Sequence, residues 1–156
     1  MRSSKIINIG CGIKTMPNAV NIDIIKHKGV NIVCDITKGI PLETGAFDKA
    51  IADYVLCQIE KRKDFVFVMN EIWRILKPKG ELAIRVPNAV FPCAFQDPMD
   101  CRYFTKETFD YFNAEHYRYK AFNYGFKPWK VITIQDERTD RIYAVLKKKH
   151  IRAKKI

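Results

Sequence analysis

Only three of the 156 residues are histidine, and no two of the five cysteines (Cys11, Cys34, Cys57, Cys93 and Cys101) form a CxxC pair or accompany a local histidine pair. These absences argue against a zinc site, and the odd cysteine count against a disulfide framework, so the chain reads as a protein of a reducing compartment. There is no long apolar run. Met1 to Lys5 leads into a stretch too brief for a signal segment or a membrane span, which points to a cytosolic protein without membrane contact. No internal repeat or low-complexity stretch divides the chain. With 47% hydrophobic and 29% charged residues, it has the make-up of one globular domain whose core needs neither disulfides nor a structural metal.

The net charge is +11, unevenly spread. Lys147, Lys148, Lys149, Arg152, Lys154 and Lys155 fall in the last ten residues with no acid among them, leaving a mildly basic body. We therefore divide the chain into a domain over residues 1–147 and a basic tail over 148–156. The tail reads either as a solvated end or as a contact for nucleic acid or another acidic partner.

Four short β-branched segments bounded by Gly, Pro, Asn or Asp read as strands: Lys5 to Ile9, Ala19 to Asp23, Val30 to Cys34, and Ala50 to Asp53. Only Cys11 to Asn18 separates the first two, which is short for a parallel crossover and predicts trimmed connections. The periodicity of Phe65, Val68, Met69, Ile72, Ile75 and Leu76 predicts a helix over Asp64 to Lys77, capped by Asp64 and ended by Pro78 and Gly80. Glu81 to Val86 reads as a strand, Thr105 as the cap of a short helix through Phe112, and Val131 to Gln135 with Arg141 to Leu146 as a closing antiparallel pair. The whole is an α/β sheet with an antiparallel edge.

Chemistry starts at the end of the first strand. Gly10 and Gly12 allow close backbone approach to a ligand where an open α/β sheet binds one, at the carboxyl ends of its strands. Asp23 closes the second strand, where a carboxylate can accept from two adjacent ribose hydroxyls. Asp35 closes the third, within reach of an adenine. Each alone is more often a structural cap; three at successive strand ends point to a nucleotide cofactor.

Ile9-Gly10-Cys11-Gly12, Asn21-Ile22-Asp23, Cys34-Asp35-Ile36, Phe47-Asp48-Lys49-Ala50, Val55-Leu56 and Ile75 to Leu82 resemble the successive motifs of class I S-adenosylmethionine-dependent methyltransferases. The match covers most of residues 5 to 105. Ala94 to Pro98 and Arg102 to Thr105 are similar to a subgroup of small bacterial and phage methyltransferase-like proteins. The resemblance implies a Rossmann-like three-layer sandwich with trimmed helices and a mostly parallel seven-stranded sheet containing one antiparallel strand. It implies S-adenosylmethionine as cofactor, held by Asn8, Gly10, Cys11, Gly12, Asp23, Asp35, Ile36, Asp53, Tyr54 and Val55. Methyl transfer from an activated sulfonium asks the protein mainly for positioning and desolvation, so a cofactor cradle is legible where a catalytic group is not.

The chain departs from the family pattern. Lys14 replaces the third glycine, Asn8 stands for an acid, Cys57-Gln58 for a Glu-His pair, and Asp100 for a later histidine. Two readings stay open: a methyltransferase acting on an unidentified acceptor, or a catalytically degenerate fold serving as a cofactor-binding or interaction module. A nicotinamide dehydrogenase fits less well, given the missing glycine and the short spacing to Asp23. The loop after the fifth strand is the expected acceptor side, with Asn88, Gln96, Asp97, Asp100 and Arg102 as candidates; Cys93 is a weaker one as a thiol nucleophile. Thirteen of the nineteen aromatics lie between Phe91 and Trp129, as core, lid or stacking residues. The trimmed helices also predict an apolar sheet face that a second subunit would cover.

Overall fold

The computed structural model describes residues 4–136 and 140–150. Seven strands form one sheet: β1 (Ile6–Ile9), β2 (Ala19–Asp23), β3 (Ile32–Val33), β4 (Phe47–Asp53), β5 (Leu76–Pro87), β6 (Trp129–Gln135) and β7 (Arg141–Lys148). Their order is β3-β2-β1-β4-β5-β7-β6, with β7 antiparallel to both neighbours and the remaining pairs parallel. This is the expected mostly parallel seven-stranded sheet with one antiparallel strand.

Strand alternation divides the sheet into two unlike faces. Ile7, Ile9, Ile22, Ala50, Ala52, Leu82, Ile84, Leu146 and Ala144 point one way and are fully buried. They share one core with Phe65, Val68, Met69, Ile72 and Ile75 of helix α1 (Arg62–Ile75), and with Phe104, Phe109 and Phe112 of the connection from β5 to β6. Ile6, Ile51, Tyr143 and Val145 point the other way and are only half-buried. No described helix covers that face, because β1 to β2 and β2 to β3 are joined by loops. The third layer of the sandwich is reduced to these connections.

α1 is the one long crossover helix, and its apolar stripe is the expected one. Its ends differ from expectation. Lys61 is the N-cap, without a side-chain bond, while Asp64 sits inside the first turn, where its charge still favours the helix dipole. The helix ends at Ile75, because Pro78 disfavours helical geometry at Lys77 and its ring would clash with the carbonyl one turn back. The chain enters β5 at once. Thr105 does cap a 3-10 turn, Lys106–Tyr111, with a full capping box. The two-turn helix α2 (Tyr117–Phe122) was not expected; it buries none of its residues and so has no apolar stripe to read.

β7 runs to Lys148, one residue beyond the expected domain boundary. Lys147 lies 3.7 Å from Glu81, Lys148 donates to the Leu76 carbonyl at 2.6 Å over the Trp73 ring, and Lys149 pairs with Glu115 at 3.1 Å. Long lysine stems cover apolar surface while their ammonium groups find partners, so Lys148 and Lys149, two charges expected in the tail, are tied to the folded domain. Arg152, Lys154 and Lys155 lie outside the described residues.

The crossover from β3 to β4 is clamped to α1 by one ion pair. Arg74 binds Glu71 at 2.7 Å and donates to the Leu42 and Ile40 carbonyls, and Glu71 accepts from Ile40 N–H at 2.9 Å. The hydrogen bond from Arg74 holds the Glu71 carboxyl below its ordinary range. The sign follows: stability from this clamp is present above the ordinary carboxylate pKa and is lost as pH falls through the lowered one. In urea titrations from pH 7 to pH 2.5, Glu71→Gln should be less stable than wild type at neutral pH, with the difference shrinking toward acid.

Candidate cofactor site

β1 ends in a turn that replaces the usual first crossover helix, and polar side chains hold it. Asn8 is 4% exposed and donates from Nδ2 to the Lys14 carbonyl and to Asn21 Oδ1, both at 3.0 Å. Asn21, equally buried, accepts from Met16 N–H at 2.8 Å and donates to the Met16 carbonyl at 2.9 Å. Asn31 accepts from Asn21 N–H at 2.7 Å, and its own N–H donates to the Asn21 carbonyl. Asn8 and Asn21 thus satisfy loop groups that a helix would satisfy internally, and Asn31 ties the end of the next loop to β2. An acid at position 8 would set an acceptor against the Lys14 carbonyl, which gives a physical reason for asparagine there.

The second tie is Asp23. Its Oδ2 accepts from Gly12 N–H at 2.7 Å and its Oδ1 from Ile25 N–H at 2.9 Å, which fixes the glycine turn to the end of β2. An ionised carboxylate has about four acceptor positions, so two are still available for hydroxyl donors. The carboxylates of Asp23 and Asp35 are felt by the two neighbouring cysteines. Burial and then the Asp23 charge push the Cys11 thiol up, and burial, Asp35 and Asp23 do the same to Cys34. Both cysteines are therefore thiols and not nucleophiles.

The two glycines do different work. A Cβ on Gly10 would collide with Val55 Cγ2 and lie 2.7 Å from Val55 Cβ, so Gly10 is a packing requirement. Gly12, at φ +50°, would point a Cβ into open space. That space belongs to a cavity of about 420 Å³ lined by Asn8, Gly10, Cys11, Gly12, Asp53 and Tyr54 among the expected residues. Ile13, Lys14, Met16 and Ile51 also line it and were not expected. Ile51 is readable only once the strand register sets it on the face of Asn8.

Tyr54 takes φ +54°, an uncommon conformation outside glycine, and its N–H is held by the Arg85 carbonyl at 2.8 Å. Burial pushes its phenol up. Arg85 pairs with Asp53 at 2.7 Å across neighbouring strands, forming a charged wall beside the cavity. Arg85 is a site neighbour that sequence reasoning missed; the one signal was a charge inside an otherwise apolar strand.

The remaining expected residues lie outside the cavity lining. Val55 packs on Gly10. Asp35 caps a 3-10 turn that begins at Ile36, accepting from the Thr37 hydroxyl at 2.7 Å and the Thr37 N–H at 2.9 Å; the hydroxyl bond first, then the N–H, holds its carboxyl low. Asn88 is 2% exposed and bridges to Phe104. Asp100 faces the buried Cys57 thiol, which is pushed well up by burial first and then by this carboxylate. Arg102 donates to the Ile59 and Glu60 carbonyls. Gln96 and Asp97 are exposed, and Asp97 accepts from Met99 N–H and weakly from Gln58. The structure brings together the glycine turn, Asn8, Asp23, Asp53 and Tyr54, and keeps the five acceptor-side candidates off this cavity's walls. The Lys77 to Gly80 turn is structural: Lys77 pairs with Asp48 at 2.8 Å, and a Cβ on Gly80 would lie 2.9 Å from the Lys77 carbonyl. Among the described residues, no group of histidines, cysteines and acids could hold a metal ion.

A family model described as a methyltransferase domain matches residues 8–84. No curated protein matches the chain by sequence. Solved structures do match in fold. One is a SAM-dependent methyltransferase of Methanosarcina mazei, at 12% identity and a TM-score of 0.62 over 95% of this chain and 93% of that one. Another is the 1,6-didemethyltoxoflavin-N1-methyltransferase of Burkholderia thailandensis, with bound 1,6-didemethyltoxoflavin and S-adenosylhomocysteine, at 13% identity and a TM-score of 0.66 over 96% and 72%. A third is the N-methyltransferase NodS of Bradyrhizobium japonicum, in complex with S-adenosylhomocysteine, at 15% identity and a TM-score of 0.61 over 92% and 77%. Identities this low speak for the fold alone. Taken with the domain match and the glycine turn tied to Asp23, they place the chain in the class I S-adenosylmethionine-dependent methyltransferase family.

Proposed function

We propose that the protein binds S-adenosylmethionine in the cavity at Gly12 and transfers its methyl group to an acceptor at the carboxyl edge of the sheet. The observation that carries this reading is the open hollow beside Gly12, whose N–H is bonded to the carboxylate of Asp23, a residue outside the cavity lining. When bound, the cofactor supplies a methyl group already activated on a sulfonium. The chain's own residues then have positioning tasks. Asp23 accepts from the ribose hydroxyls, Gly12 admits the ligand against the backbone, and Asn8 keeps the turn from closing. Asp53, held by Arg85, and Tyr54 wall the site. Asp35 and Ile36 receive the adenine. Gln96 and Asp97, exposed on the loop after β5, are the polar groups of that loop we assign to acceptor orientation.

The competing reading, a catalytically degenerate fold serving as a cofactor-binding or interaction module, is less well supported by the methyltransferase-domain match over residues 8–84, and its form without a cofactor also by the cavity of about 420 Å³ at the glycine turn. Among the described residues, no helix is long and apolar enough to cross a membrane.

Calorimetry with S-adenosylhomocysteine tests the reading, with three variants that separate its parts. Asp23→Ala should lose at least tenfold in affinity, since two charge-assisted hydrogen bonds are each worth about 1.5–3 kcal/mol. Binding indifferent to Asp23 contradicts the assignment. Gly12→Ala should fold at a cost of about 1–2 kcal/mol for its left-handed φ and lose the cofactor. Gly10→Ala should instead destabilise the fold, with partial recovery when combined with Val55→Ala.

A further inference from the structure

A second cavity, of about 320 Å³, shares no lining residue with the first. It lies between the start of α1, the residues after β5, and the segment around Tyr124. Seven of its eleven lining residues are aromatic, and two of the others are Arg62 and Arg102. This is a size that holds one small planar molecule.

The arginines are the informative part. Arg102 is half-buried, its guanidinium stacked 4.2 Å from the centre of the Phe65 ring and anchored to the Ile59 and Glu60 carbonyls. Burial, and secondarily the like charge of Arg62, lowers its pKa. Among the described residues, no carboxylate lies within ion-pair distance of either arginine. A partly desolvated cation with only neutral carbonyl partners, beside a second cation, favours an incoming anion. Exposed Lys61 and Lys63 flank Arg62 in sequence and add to the positive field.

The aromatic part is arranged for stacking. Tyr124 is 49% exposed, lines the cavity, and lies nearly parallel to Tyr111 at 5.8 Å and to Phe122 at 5.7 Å, with interplanar angles of 20° and 22°. Tyr103, also half-exposed, lines the cavity as well. Exposed flat rings next to unpaired guanidinium groups form the combination that binds a nucleobase and its phosphate together.

We propose that this cavity binds a nucleoside monophosphate unit, with the base stacked on Tyr124 and Tyr103 and the phosphate on Arg62 and Arg102. The unit comes either as a free nucleotide or as one nucleotide of a single strand. Binding there needs neither cofactor nor methyl transfer.

The test is calorimetry on the full chain with AMP, adenosine, inorganic phosphate and a deoxyadenosine decamer, with and without saturating S-adenosylhomocysteine. AMP should bind more tightly than adenosine or phosphate and keep its affinity when S-adenosylhomocysteine is present. Tyr124→Ala should weaken AMP about tenfold, the worth of one stacked base, and Tyr124→Phe should restore it. Arg62→Ala should weaken AMP and leave adenosine unchanged. Both altered residues are exposed, so the fold should survive. A decamer bound more tightly than AMP identifies a strand as the source, and equal affinities identify the free nucleotide. Absence of binding by both AMP and decamer overturns the proposal. So does AMP displaced by S-adenosylhomocysteine, or AMP affinity unchanged in both Tyr124→Ala and Arg62→Ala.

Discussion

Asn8 donates through one amide nitrogen to the Lys14 carbonyl and to Asn21, and Asn21 passes the network on to Met16 and Asn31. Around these bonds the amino-terminal half of the sheet is organised. Parallel strands need crossovers, and a helix is the usual one because it satisfies its own backbone. Here the connections are loops whose polar groups lie over the sheet, and buried asparagine amides satisfy them. The Asp23 carboxylate completes the arrangement by binding Gly12 N–H, so the glycine turn is held open at a fixed distance from β2.

The unequal faces of the sheet follow from the same economy. One face carries α1 and the phenylalanine-rich connection, and its residues are fully buried. The other carries only loops, leaves Ile6, Ile51, Tyr143 and Val145 half-buried, and holds the glycine cavity beside Asn8 and Ile51. The packed core and the open cavity therefore lie on opposite sides of one sheet. The face with the fewest packed side chains is where room remains for a cofactor.

Much of this was legible in the sequence because its signals are local. Alternating β-branched segments marked the strands, the 3.6-residue stripe marked α1, and Gly10 and Gly12 marked the turn that lines the cavity. What was not legible depends on partners distant in the chain. Asn8, Asn21 and Asn31 each read as a polar residue within a strand segment, and their joint role appears only when parallel register aligns β1 with β2. Lys147 to Lys149 read as solvated charge until Glu81, Leu76 and Glu115 come into reach. Arg85 gains meaning only opposite Asp53. The acceptor side was least legible: Asn88 carries the polar type expected of a substrate site but is buried and bridged to Phe104, and Arg102 faces a different cavity from the glycine turn.

The loop network depends on Asn8 acting as a hydrogen-bond donor, and one substitution addresses that directly. Asn8→Asp keeps size and shape, restores the acid common in the family, and turns the donor into a second acceptor facing the Lys14 carbonyl. Urea unfolding at pH 7 should show a loss of about 1–3 kcal/mol, the cost of leaving a buried polar group unsatisfied. A variant as stable as wild type, or more so, would show that the asparagine network does not hold the loops in the place of helices.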